Sequence, residues 1–117
     1  MVQQHRQSWA NAETHFRNSL DLQPENLGAL KLFAGFLMAG ERFAEAREIL
    51  ERALMLDLDD MEIFLSLGVC WYRLKRYHAA RSCFNRILTL SPHDPIAQGN
   101  LNAAEREILN QQNEFKP

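Results

Sequence analysis

Apolar residues return at three- and four-residue intervals along most of this chain, and whole sets of them return again 34 residues later. Leu30, Phe33, Ala34, Leu37, Phe43, Ala46, Leu50, Leu54, Leu56 and Leu58 are followed at that distance by Phe64, Leu67, Gly68, Trp71, Tyr77, Ala80, Phe84, Leu88, Leu90 and Pro92. The short spacing places each set on one face of a helix. The long period, with two such stripes inside it, predicts a hairpin of antiparallel helices that cannot cover its own apolar face and must stack on its neighbours. The chain is therefore expected to be all-α.

Residues 61–94 form the clearest unit. Phe64, Leu67, Gly68, Trp71 and Leu74 mark a first helix, and Arg73 to Arg76 interrupt the rhythm. Tyr77, Ala80, Phe84, Ile87 and Leu88 mark a second helix that stops at Ser91-Pro92, where proline cannot continue it. Gly68 and Ala80 are small enough to let the two backbones cross closely, with Trp71 and Phe84 filling the space beside them. Residues 27–60 repeat the plan, with Gly40 and Glu41 at the turn. Towards the N-terminus, Trp9, Ala12, Phe16, Leu20, Leu22 and Pro24 reproduce only a second helix, with Ser8 as its expected N-cap and Met1 to Gln7 as the last turn of a partner. Pro95 opens a last helix on Ala97, Leu101, Ala104 and Ile108, where Asn102 and Glu105 stand in place of Gly68 and Trp71. Polar residues there suit the end of an array facing water. From Asn110 onward the chain is expected to fray.

Phe64, Leu67, Gly68, Trp71, Tyr77, Ala80, Phe84 and Pro92 resemble the tetratricopeptide repeat, W-x2-L-G-x2-Y followed by A-x3-F and P, with aromatic exchanged for aromatic at the first and later ring positions. Leu30, Phe33, Ala34, Leu37, Phe43, Ala46, Leu50 and Ala53 resemble it again, with Leu58 in place of the proline. The resemblance implies one domain over residues 1–117, an α-solenoid with a C-terminal capping helix. Its parts are a half repeat at 8–26, repeats at 27–60 and 61–94, a cap at 95–112 and a tail at 113–117.

Composition narrows the classes. A hydrophobic content of 46% with 24% charged residues is ordinary for a globular domain. The apolar stretch Leu32 to Ala39 is too short to cross a bilayer, and Met1 to Arg17 carries no secretory signal, so a cytoplasmic protein without membrane insertion is expected. Arg73, Lys75, Arg76, Arg81 and Arg86 cluster, but Glu41, Glu45, Glu48, Glu51, Asp57, Asp59 and Asp60 precede them. At a net charge of −2 no nucleic-acid partner is expected. Cys70 and Cys83 form no CxxC pair and read as buried thiols. His5, His15, His78 and His93 are scattered, and His78 with Cys83 is read as packing and not as a catalytic pair. Asp57, Asp59 and Asp60 lack the glycine and distal glutamate of a calcium loop and are read as capping the next helix. No phosphate-loop, dinucleotide, nucleophile-elbow or zincin string occurs, so neither enzyme activity, cofactor nor metal is expected.

In tetratricopeptide proteins the first helix of each repeat lines a concave groove. The resemblance therefore assigns Lys31, Gly35, Met38, Glu62, Leu65, Val69, Tyr72 and Arg73 to a peptide-binding groove, with Ala39, Gly99, Ala103 and Arg106 extending it. Some members hold a chaperone's terminal carboxylate with Lys, Asn and Arg. Lys31 could stand for one such lysine, but Gly35, Glu62, Leu65 and Ser66 occupy places where that clamp wants donors. An extended or helical apolar segment of a client protein fits better, anchored on Leu65, Val69 and Tyr72 and flanked by Lys31 and Arg73, although Leu65 and Val69 could equally pack against the next repeat. Trp9 and Phe16 lack their usual cover. A second copy or a partner protein is expected there, or the chain is a piece of a longer array. The leading reading is an adaptor or export chaperone: within the adaptor class, the short length, the helical cap, the apolar groove and Ile63 to Arg73 resemble the tetratricopeptide chaperones of type III secretion translocators. The rival is a self-assembling scaffold joined through Trp9 and Phe16.

Overall fold

The computed structural model describes residues 2–114. Six helices account for them: α1 (Val2–Leu22), α2 (Leu27–Ala39), α3 (Phe43–Leu56), α4 (Met61–Arg73), α5 (Tyr77–Leu90) and α6 (Pro95–Glu114). Each hairpin begins with the same device. Asn26, Asp60 and Asp94, spaced by 34 residues, lend a side-chain oxygen to the backbone N–H of Ala29, Ile63 and Ala97 at 3.0, 3.1 and 2.9 Å. These N-caps satisfy donors that the first turn leaves open. Of the three aspartates read as caps, only Asp60 caps α4; Asp57 accepts from the Asp59 N–H, and Asp59 pairs with Arg86 at 2.6 Å.

The turns inside the hairpins also repeat. Glu41 and Lys75 take left-handed backbone, with φ of 60° and 63°. The Arg42 N–H reaches the Leu37 carbonyl and the Glu41 N–H the Met38 carbonyl, while Arg76 and Lys75 do the same to Trp71 and Tyr72. This is the Schellman ending of a helix, with a non-glycine residue at the position that favours glycine. Gly40, expected to share the turn, has an ordinary negative φ. A Cβ there would sit in ordinary van der Waals contact with the ring of Trp9, at 3.7 Å.

At the crossing of α4 and α5 the sequence reading holds. A Cβ on Gly68 would lie 2.5 Å from Cε1 of Phe84, and Ala80 is fully buried. In the preceding repeat the equivalent places hold Ala34 and Leu50, both buried in one core. One core runs from Leu20 through α2 and α3 to Ile63, Leu67 and Cys70, and a second joins Ala80, Phe84 and Ile87 to Ala97, Leu101 and Ala104.

The two ends differ from expectation. Ser8 is not an N-cap: it sits inside α1, and residues 2–7 continue that helix where a turn of a preceding one was expected. At the other end α6 runs through Asn110 to Glu114, with Ile108 still buried, so the helix outlasts the expected fraying; residues 115–117 lie outside the described part.

Candidate functional site

The backbones of α2, α4 and α6 approach one another directly, whereas α1, α3 and α5 do not. The array is therefore tighter on the side of α2, α4 and α6, and those helices form its inner, concave wall. Caps at a fixed 34-residue spacing hold successive inner helices in the same rotational phase, so the same helical positions line that wall in every repeat.

Along it the structure brings together the apolar candidates. Met38, Leu65, Val69 and Tyr72 are each half-buried, and nothing lies within 4 Å of a Cβ on Gly35 or Gly99. Their commitments differ. Leu65 and Tyr72 lean on the α5–α6 core, Met38 leans on the other core, and Val69 belongs to neither. The Tyr72 ring stands edge-on to that of Tyr77 at 5.2 Å, which fixes its orientation while leaving part of it exposed.

The flanking cations Lys31 and Arg73 are both ion-paired. The Lys31 ammonium is 2.6 Å from Asp60 and 3.2 Å from Glu62, and the hydrogen bond to Asp60 holds its pKa above the ordinary lysine value. Glu62 is thus Lys31's partner and not an isolated charge. Arg73 pairs with Glu41 at 3.2 Å and lies over the Phe43 ring at 4.6 Å. Both cations stitch one repeat to the next. Beside these pairs the wall offers apolar and small residues.

At the N-terminal edge Trp9 is 41% exposed, stacked at a tilt on Phe36 at 4.6 Å. Phe16, expected to be bare, is half-buried against Phe33 and Phe36, each at 5.4 Å. The two aromatics therefore do not form one exposed patch. Cys70 and Cys83 are buried, and burial pushes both thiols up to about 11, the opposite of an activated thiolate. His78 is exposed and turned to Arg81 at 3.2 Å.

Sequence reasoning missed two features of the outer wall. Arg42 forms a two-pronged bond to Glu13, with a 3.0 Å contact through Nη2, and also holds Glu45 at 2.7 Å. Between α3 and α5 a cleft of about 660 Å3 is lined by Ala44, Arg47, Trp71, Leu74, Arg76 and Ala79. The signal for both was the 34-residue offset applied to charged positions, which sets Arg47 opposite Arg76 where Glu13 stands opposite Arg42.

Comparison with known proteins agrees with this architecture. A family model for the tetratricopeptide repeat matches residues 4–57 and 36–95. Protein CTR9 homolog of Arabidopsis thaliana is 34% identical over 83 residues, which is 70% of this chain but 8% of that protein. BBSome complex member BBS4 of Mus musculus is 31% identical over 111 residues, 87% of this chain and 21% of that protein. The chain thus spans a small part of these relatives. Among solved structures, the first TPR of Spaghetti (RPAP3) bound to an HSP90 peptide superposes with a TM-score of 0.80 at 18% identity, covering 90% of this chain and 83% of that one. No described helix is long and apolar enough to cross a membrane. On the repeated caps, turns and core positions, and on the family match, the chain belongs to the tetratricopeptide repeat family.

Proposed function

We propose that this chain is a protein-interaction module that takes an apolar polypeptide segment along its inner wall. The observation that carries the proposal is the row Met38, Leu65, Val69 and Tyr72, half-exposed beside open space at Gly35 and Gly99. Side chains of a guest would fall over the glycines while its apolar anchors lie on Val69 and Tyr72. Support for peptide binding also comes from the similar fold of the Spaghetti (RPAP3) repeat, solved with an HSP90 peptide. The mode differs here, because Lys31 is committed to Asp60 and Glu62 and no row of free donors replaces it.

An export chaperone is a narrower form of this reading, resting on the short length, the capping helix, the apolar groove and Ile63 to Arg73; Ile63, Leu67, Gly68 and Cys70 of that stretch are buried, so the broader role of adaptor is the one we propose. Self-assembly is the second reading, favoured by the exposed indole of Trp9.

Selecting peptides from a random library on the immobilised protein tests the first reading. Selected peptides should be apolar, and Val69→Asp should abolish their binding without changing helicity, because Val69 belongs to neither core. Retained binding in Val69→Asp, or its loss in Trp9→Ala instead, contradicts the inner-wall site.

A further inference from the structure

Where α3 and α5 begin, the outer wall repeats one plan, and an ion pair closes it only at the start of α3. Between α1 and α3 the guanidinium of Arg42, at the start of α3, grips the Glu13 carboxylate, which is donated by the preceding outer helix. Between α3 and α5 the same two places, 34 residues on, hold Arg76 and Arg47. Like charges cannot close on each other, and the space between them stays open, about 660 Å3 with Trp71 as its floor. Arg47 lies over the Trp71 ring at 5.1 Å and is partly balanced by Glu51 at 3.0 Å and by Glu48, largely exposed, at 3.7 Å. Arg76 has no acidic partner among the described residues.

We propose that this cleft binds a carboxylate-bearing segment of a partner protein, a Glu or Asp side chain entering between Arg47 and Arg76 with its stem on Trp71. The start of α3 shows the closed form: a carboxylate offered from a helix, held in two prongs by an N-cap arginine. Planar guanidinium matches carboxylate in this way, and the indole face supplies an apolar surface for the methylene groups beside the charge. The site lies on the wall opposite the apolar row, so it stands whether or not the inner wall takes a peptide.

The test uses the full chain labelled with 15N, titrated with acetylated tetraglutamate amide, its tetraglutamine counterpart and inorganic phosphate in parallel. Trp9, the other tryptophan, serves as the internal control. The tetraglutamate should shift the Trp71 indole N–H saturably, with an affinity at least about tenfold above that of tetraglutamine, and leave Trp9 in place. Arg76→Gln should remove the shift. Arg47→Glu, which recreates the Glu13–Arg42 arrangement, should remove it too while holding or raising thermal stability. Equal shifts from both peptides, or from phosphate as strongly as from tetraglutamate, overturn the proposal. So does a Trp71 shift that appears on concentrating the protein alone, which would put a second copy in the cleft, or one that survives in folded Arg76→Gln.

Discussion

The ring of Phe84 lies against the backbone of Gly68, with Cε1 2.5 Å from the place a Cβ would take. Phe84 is 1% exposed and cannot swing away. Alanine at an open helical glycine gains about 1 kcal/mol of helix propensity. At Gly68 that gain is outweighed by overpacking of about 1–3 kcal/mol. Gly68→Ala should therefore lower the melting temperature, whereas Gly99→Ala, whose Cβ would meet nothing within 4 Å, should raise it. Thermal denaturation of the two variants beside the parent decides the matter. A stabilised Gly68→Ala would mean that α4 and α5 do not cross there.

Glu41 and Lys75 hold left-handed backbone at the ends of α2 and α4. An L-residue gives up roughly 1 kcal/mol in that region, and glycine does not. Lys75, with no ion pair among the described residues, is the clean position: Lys75→Gly should stabilise the fold by about 0.5–1 kcal/mol in urea denaturation. Glu41→Gly should gain less, because it also releases Arg73.

The Arg42 hydrogen bond holds the Glu13 carboxyl down to about 2, from an ordinary 4.5. A group whose pKa is depressed on folding stabilises the fold above its unfolded value, and the contribution is lost as the pH falls through the folded one. At neutral pH, Arg42→Gln should cost on the order of 1 kcal/mol, limited by the pair's partial exposure. The difference from the parent should shrink as the pH drops from about 4.5 towards 2. A difference that stays constant over that window would remove the Glu13–Arg42 pair from the account.

Period, hairpins, crossing glycine and capping helix were legible because each follows from where apolar and small residues fall, and burial dominates the energetics of helix stacking. The sequence placed Gly68 and Ala80 at the crossing with Phe84 beside it, and the structure adds that the Phe84 ring lies against Gly68 itself. The polar side was less legible. Asn26 and Asp94 cap their helices as Asp60 does, yet a lone cap residue has many sequence look-alikes. The ion pairs of Lys31 and Arg73 were not legible because their partners, Asp60 and Glu41, lie about a repeat away and reach them only after stacking. Residues 2–7 continue α1 because a helix without an apolar stripe of its own can simply extend the one that follows. For the candidate site, the sequence named a row on the inner helices. It could not apportion that row, and only packing separates Val69 from Leu65 and Tyr72, which also serve the core.

Cys70 and Cys83 are enclosed, and their thiols are pushed up to about 11. Native protein at neutral pH should therefore resist a thiol reagent such as dithionitrobenzoate, with both sulfurs reacting once urea unfolds the chain. Fast reaction of either thiol in the folded state would show that the packing around α4 and α5 opens.

A photoreactive benzophenone residue placed at Val69 gives the most direct test of the inner-wall claim, with the same group at Trp9 as its counterpart. With a library-selected apolar peptide bound, irradiation should join the peptide to the chain from position 69 and leave the Trp9 variant unlinked. Linkage from position 9 alone, or chain-to-chain linkage in place of peptide capture, would contradict it.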